Sequence, residues 1–379
     1  MSAEIRPFVL NIEEERLVDL RQRLAATRWP DPESVDDWSQ GAPLAKVQAL
    51  VDYWRNKYDW RRCERELNSR DQFLTEIDGV DIHFLHVRSK HENAMPLLLT
   101  HGWPGSVVEF LKCVGPLVDP VAHGGSAQDA FHLVIPSLPG YGFSGKPRET
   151  GWNVRRISKA WDVLMHRLGY DRYVAQGGDW GAAVTTAMGM ARFDGLAAIH
   201  LNMPIVLPDD PGSDLSPGEQ AMLDRMAFYQ RWDSGYSTQQ ATRPQTLGYG
   251  LADSPAGQAA WVYEKFYAWT DCNGEPENAL SYDDMLDNIM LYWLPNTGAS
   301  SARLYWESFH GGFGAKELHL PTGCSVFPKD IYAAPRSWAE RCMHDLIYWN
   351  ELEKGGHFAA FEQPVQFVEE VRNCFRLVR

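Results

Sequence analysis

Apolar and polar positions change rhythm several times along the 379 residues of the chain. From residue 1 to about 70 the spacing is helical and charged residues are frequent. Residues 13–26 put Leu17, Leu20 and Leu24 on one side, with Asn11 as the expected N-cap, and Trp29-Pro30-Asp31-Pro32 ends the helix. Residues 44–58 repeat the pattern with Leu50, Tyr53 and Trp54. Nothing in this stretch carries chemistry, and it reads as a packing appendage. Residues 73–87 then alternate about Asp78-Gly79, which predicts a β-hairpin. From Pro96 short apolar runs at 96–100, 131–136, 173–177 and 196–201 alternate with helical patterns, of which 154–168 is amphipathic. That rhythm predicts an α/β fold with a mostly parallel sheet covered by helices on both faces.

After Pro204 the alternation stops. Residues 205 to about 310 are helical, aromatic and interrupted by Pro and Gly, as expected of a lid laid over the carboxyl edge of the sheet. Strand patterns resume at 323–327 and 345–349, and a helix starting at Pro364 closes the chain. The expected organisation is therefore a helical N-terminal extension over 1–70, a first part of the core over 71–204, the lid over 205–310 and a second part of the core over 311–379. There is no internal repeat and no low-complexity segment.

Composition narrows the function classes. Hydrophobic residues at 44% and charged residues at 23% are ordinary for a globular chain, whereas 15 Trp point to large apolar contacts or an aromatic pocket. A formal net charge of -14 argues against nucleic acid, whose phosphates are bound by Lys and Arg. Six scattered Cys, without a C-x-x-C or metal-ligand spacing, read as reduced buried thiols and an intracellular compartment. The first residues lack a signal peptide's apolar stretch, and no window reaches the ~20 apolar residues of a membrane span. A cytoplasmic protein without a membrane anchor is expected, and a homo-oligomer stays open.

The chemistry centres on Tyr173-Val-Ala-Gln-Gly-Gly-Asp179-Trp-Gly-Ala-Ala183. An apolar run meets Gly-x-Asp-x-Gly and a helical pattern follows, the layout of a nucleophile elbow. Small residues at 177, 181 and 182 let strand and helix close on each other. The tip is Asp179 where Ser is usual, and a carboxylate is already nucleophilic at pH 7. His101-Gly102-Trp103-Pro104 ends an earlier strand; on this template Trp103 and the residue after the nucleophile, Trp180, supply oxyanion-hole amides. Among 12 His, His357 in Gly355-Gly-His-Phe has the late position expected of a general base. Asp330, after the strand ending near Phe327, is the acid to orient it, with Asp209 or Asp210 as rival positions. Gly140-Tyr-Gly-Phe-Ser-Gly145 spells a dinucleotide fingerprint, but the Lys146-Pro147 that follows cannot open the helix such a site needs. No cofactor and no metal site is expected.

Taken together, His101-Gly-Trp-Pro-Gly-Ser106, Gly140-Tyr-Gly-Phe-Ser144, Gly177-Gly-Asp-Trp-Gly181 and Gly355-Gly-His-Phe-Ala-Ala-Phe-Glu362 resemble the α/β-hydrolase-fold epoxide hydrolases, closest to the microsomal and juvenile-hormone branch. The resemblance covers nearly the whole chain, because the segment with Trp29-Pro30 resembles that branch's N-terminal domain. It implies hydrolysis of a small apolar epoxide to a vicinal diol through a covalent ester on Asp179, in detoxification or secondary metabolism. It also implies two lid tyrosines as donors to the epoxide oxygen, which fall on Tyr236 and Tyr305. The acid is Glu in many relatives, whereas Asp330 is one methylene shorter. Two alternatives stay open at this level: a haloalkane or haloacid dehalogenase using the same Asp, and a non-catalytic hydrolase-fold ligand binder.

Overall fold

The computed structural model describes residues 4–208, 210–309, 311 and 314–379. The strands are β1 (Ile5–Phe8), β2 (Gln72–Ile77), β3 (Val80–Val87), β4 (Met95–Thr100), β5 (Phe131–Pro136), β6 (Tyr173–Gly177), β7 (Leu196–Asn202), β8 (Thr322–Val326) and β9 (Leu346–Glu351). Among the described residues they form one nine-stranded sheet in the order β1-β2-β3-β5-β4-β6-β7-β8-β9. From β5 to β9 every neighbouring pair is parallel, while β1, β2 and β3 join one edge as antiparallel strands. The parallel centre is buried on both faces, which is why β4 and the first half of β6 read as apolar runs. The β2–β3 hairpin turns at Asp78 and Gly79, both with positive φ, as a two-residue turn demands.

Before β2 lie α1 (Glu14–Ala25), α2 (Leu44–Asn56) and α3 (Trp60–Asn68). Within the core come α4 (Leu111–Val118), α5 (Val154–Arg167) and α6 (Trp180–Ala191). Between β7 and β8 the chain is helical: α7 (Pro217–Phe228), a π-helical turn over Tyr229–Asp233, α8 (Gly235–Thr242), α9 (Pro244–Asp253), α10 (Pro255–Trp269), α11 (Tyr282–Trp293) and α12 (Gly298–Phe309). The end of the chain adds α13 (Arg336–Cys342), α14 (Ala359–Glu362) and α15 (Pro364–Phe375). Helices α5 and α6 pack together on the sheet, as do α4 and α15. The six cysteines are free, all but Cys342 buried. Among the described residues no helix is long and apolar enough to cross a membrane.

The N-terminal stretch departs from expectation twice. Asn11 is not the cap of α1: Glu13 holds that position without a side-chain cap, and Glu14 and Glu15 in the first turn face the helix dipole instead. A strand, β1, precedes the helices and pairs antiparallel with β2. Its Pro7 is tolerated because the strand lies at the sheet edge. The helices that follow pack on the helical segment between β7 and β8. Helix α2 lies against α10 and α11, and α3 against α11. Arg62 donates to both oxygens of Asp287 at 2.7 and 2.8 Å, and the Tyr58 hydroxyl donates to the same carboxylate at 2.7 Å.

Candidate active site

The elbow forms where β6 stops and α6 starts. Asp179 carries φ 52° and ψ -128°, a conformation that costs a non-glycine residue on the order of 1–3 kcal/mol and persists only where surrounding packing enforces it. The enforcement is visible in the glycines. A Cβ on Gly177 would lie 2.1 Å from the carbonyl oxygen of Gly181, and one on Gly181 would lie 1.9 Å from that of Thr100. Backbone therefore passes where side chains would otherwise stand, and Asp179 is lifted above the carboxyl ends of β4 and β6.

Around Asp179 the structure brings together most of the residues expected from sequence. The Trp103 amide donates to Asp179 Oδ1 at 2.7 Å. Its loop is pinned by His101, whose Nδ1 donates to the Gly102 carbonyl at 2.9 Å and whose Nε2 accepts from the Leu138 amide at 3.2 Å. Burial lowers His101 to about 4, so it serves as a neutral brace. Trp180 opens α6 and so stands at the positive end of that helix. Asp179 Oδ2 lies 3.3 Å from His357 Nε2. His357 Nδ1 donates to Asp330 Oδ1 at 2.7 Å, so the shorter Asp side chain does reach. Burial works against an imidazolium at His357, but the Asp330 and Asp179 carboxylates outweigh it and hold the ring well above its ordinary value. Asp330 hangs from the turn after β8, and Arg225 of α7 clamps that turn by donating to the carbonyls of Asp330 and Pro328 at 2.6 and 3.0 Å. Of the rival acids, Asp210 accepts from the Gly212 amide in an exposed loop, and Asp209 lies outside the described residues.

Tyr236 of α8 and Tyr305 of α12 converge over the elbow. Their rings lie 5.8 Å apart; Trp103 stacks on Tyr236 at 4.9 Å, and Trp180 meets Tyr305 edge-on at 4.8 Å. Burial pushes both phenols well above the ordinary tyrosine value, so they are neutral donors. In front of Asp179 a cavity of about 260 Å³ is walled mainly by apolar and aromatic side chains, among them Trp180, Met203, Ile205, Phe309 and Ile331. Behind it a second cavity of about 20 Å³ touches Asp179, His357, Glu109 and Asn202. One water needs roughly 10–15 Å³, so the smaller space fits a single molecule.

Sequence reasoning passed over Glu109, Tyr229 and Arg225. Ser106-x-x-Glu109 is a capping-box signature, and the box does form, with the Ser106 amide donating to Glu109 Oε1 at 3.0 Å. That signal marks a helix start; it does not say that the carboxyl faces the small cavity. Tyr229 and Arg225 carry no sequence signal at all. Among the described residues one group of side chains with metal-binding spacing occurs, Glu317, His319 and His344; all three are exposed and none lines either cavity.

Comparison with known proteins places this geometry in context. Residues 5–110 match the family described as epoxide hydrolase N terminus, and residues 95–247 match the alpha/beta hydrolase fold. A Stigmatella aurantiaca (strain DW4/3-1) protein carrying an epoxide hydrolase name is 60% identical over 99% of this chain and 86% of its own length. Epoxide hydrolase 1 of Oryctolagus cuniculus is 36% identical over 99% of this chain and 89% of its own. The crystal structure of juvenile hormone epoxide hydrolase from Bombyx mori is similar with a TM-score of 0.91 at 30% identity, over 99% of this chain and 95% of that one.

Proposed function

The chain belongs to the epoxide hydrolases of the α/β-hydrolase fold, and from that premise we propose that it opens a small apolar epoxide through a covalent ester on Asp179. Membership also removes the two alternatives raised by the sequence, a dehalogenase and a non-catalytic ligand binder. The observation that carries the residue assignment is the position of Asp179. Its carboxylate is presented on the elbow between two neutral phenols in front and a histidine 3.3 Å behind.

In the first step Asp179 Oδ2 attacks an epoxide carbon while Tyr236 and Tyr305 donate to the oxygen that is leaving it. Oδ1, already held by the Trp103 amide, becomes the ester carbonyl. Alkylation removes the negative charge of Asp179, and with it one of the two carboxylates that favour the His357 cation. The imidazolium then gives its proton to solvent, and the neutral imidazole that results is a base. In the second step it takes a proton from a water seated in the small rear cavity, and that water adds to the ester carbonyl. The Trp103 and Trp180 amides stabilise the tetrahedral oxyanion, a contribution worth about 3 kcal/mol per donor in comparable sites. Asp330 holds the ring in the Nδ1–H tautomer throughout. The helices between β7 and β8 act as the lid that supplies the phenols and walls off the front cavity.

His357→Gln tests the sequence of events. After exposure to styrene oxide, mass spectrometry of the denatured variant is expected to find one substrate mass added to the peptide containing Asp179. Wild-type enzyme run through one turnover in H₂¹⁸O should carry the isotope in Asp179 and release unlabelled diol. A first diol bearing the label would overturn the covalent reading.

A further inference from the structure

Beyond the two phenols assigned above, a third tyrosine touches the site through one of them. The Tyr229 and Tyr236 hydroxyls lie 3.0 Å apart, although the residues are seven positions apart in sequence. In a continuous α-helix that separation is about 10.5 Å along the axis. The contact exists because α7 ends at Phe228 and the chain passes through the π-helical turn, closed by the Ser234 amide donating to the Tyr229 carbonyl at 2.8 Å. Helix α8 then restarts in a new direction with Tyr236 in its first turn. Isolated π turns occur often at functional sites.

The protons at this junction can be followed. Ser237 Oγ donates to the Ser234 carbonyl at 2.9 Å, so it accepts from the Tyr229 hydroxyl, 3.2 Å away. Tyr229 has one proton and two acceptors, Ser237 and Tyr236. Tyr236 likewise has one proton, which goes either to Tyr229 or into the front cavity that both tyrosines line. Tyr236 is buried, whereas Tyr229 is only half-buried and borders solvent. The face of the Tyr236 ring is further covered by the Lys265 ammonium at 4.5 Å.

We propose that Tyr229 is a positioning residue for ring opening: it turns its hydroxyl from Ser237 to the Tyr236 oxygen, frees the Tyr236 proton for the epoxide, and links that buried phenol to solvent. The inference rests on the assignment of Tyr236 as an epoxide-oxygen donor. As Asp179 Oδ2 bonds to carbon, the carbon–oxygen bond of the ring breaks and its electron pair stays on oxygen, which takes the Tyr236 proton. The Tyr236 oxygen then draws the proton of Tyr229, and Tyr229, which is partly accessible, is refilled from water. One proton enters at ring opening and one leaves for solvent as His357 becomes neutral in the ester. Hydrolysis then moves a water proton to His357 as the Asp179 carboxylate returns, so the cycle balances.

The test separates the two chemical steps by single-turnover kinetics with styrene oxide. Tyr229→Phe is expected to slow alkylation about tenfold, the rate equivalent of one hydrogen bond to a developing charge, and to leave ester hydrolysis unchanged. Tyr236→Phe should slow alkylation as well, and the double variant should be no slower than Tyr236→Phe alone. Ser237→Ala removes the competing acceptor and should raise the alkylation rate up to about threefold. Wild-type alkylation in Tyr229→Phe, or independent multiplication of the two losses in the double variant, would overturn the inference. So would a tenfold loss in Ser237→Ala, which would point to packing of the turn. Wild-type alkylation in Tyr236→Phe would instead strike the assignment of that phenol, and the two failures are thereby told apart.

Discussion

Glu109 is the clearest case of one side chain doing different work in sequence and in space. Along the chain it completes a capping box with Ser106; in space its carboxyl borders the rear cavity with Asp179 and His357. Burial raises it from an ordinary 4.5 to about 8, with the His357 cation opposing and the Asp179 charge reinforcing the rise. A folded-state value above the unfolded one means that the native protein keeps a proton the unfolded chain has lost. The associated stability is fully present below about pH 4.5 and is lost as pH rises through about 8. Glu109→Gln keeps an acceptor for the Ser106 amide and removes the titration. Its melting temperature is expected to gain on wild type steadily between pH 5 and pH 8.5, measured by calorimetry; a constant offset would show that Glu109 does not titrate there. Residues such as Asp179 and His357 were legible in the sequence because their neighbours must be glycine, and glycine leaves a pattern. Tyr236 and Tyr305 were legible only through family likeness, since a tyrosine in an aromatic helix looks like packing. Tyr229 was illegible because a π turn, invisible in spacing, brings it to the site.

At the level of elements, the elbow is the least tolerant junction. A methyl group at Gly181 would meet the Thr100 carbonyl at 1.9 Å, and neither β4 nor α6 has room to retreat without disturbing the sheet. Gly181→Ala is therefore expected to destabilise the fold by about 3 kcal/mol or more, read from urea unfolding. A loss under about 1 kcal/mol would mean that the junction gives more easily than its packing implies. The same sensitivity made the elbow readable, because steric necessity fixes residue type. Strand β1 shows the opposite: four residues, Ile-Arg-Pro-Phe, are too few to express a period, and their strand identity comes from pairing with β2. The cap of α1 failed for a related reason. Asn11 is chemically suited, but two acidic residues in the first turn already answer the helix dipole, so the start slid to Glu13. Arg225 joins two elements that are far apart in sequence, α7 and the turn bearing Asp330. The helices between β7 and β8 are thereby tied to the turn that bears Asp330.

For the whole molecule, the N-terminal helices are tied to the helices between β7 and β8. Arg62 and Tyr58 of the first part grip Asp287 of α11, and Tyr53 donates to Asp283 at 3.1 Å. Burial raises Asp287 to about 6, against the pull of Tyr58 and Arg62. Arg62→Met leaves that carboxyl without its cation. Because Arg62 is itself 37% exposed, the cost is expected to be about 1–2 kcal/mol and not the larger figure for a fully buried pair. The loss should be greater at pH 8 than at pH 5, since a further raised Asp287 is protonated, and harmless, only at the lower pH. Equal loss at both values would remove Asp287 from the account. This arrangement was only partly legible: amphipathic helices over the first 70 residues were expected, but not their partner, because nothing local in a sequence names the surface a helix will meet. The front cavity carries a last consequence, for departure. An epoxide brings in one acceptor that two phenols can serve; the diol that replaces it keeps that oxygen on the phenols and sets its second hydroxyl beside the regenerated Asp179 carboxylate, with mostly hydrocarbon around both. Product and substrate thus contend for the same few polar groups, and added diol is expected to inhibit competitively in steady-state assays with styrene oxide; noncompetitive inhibition would put the diol elsewhere.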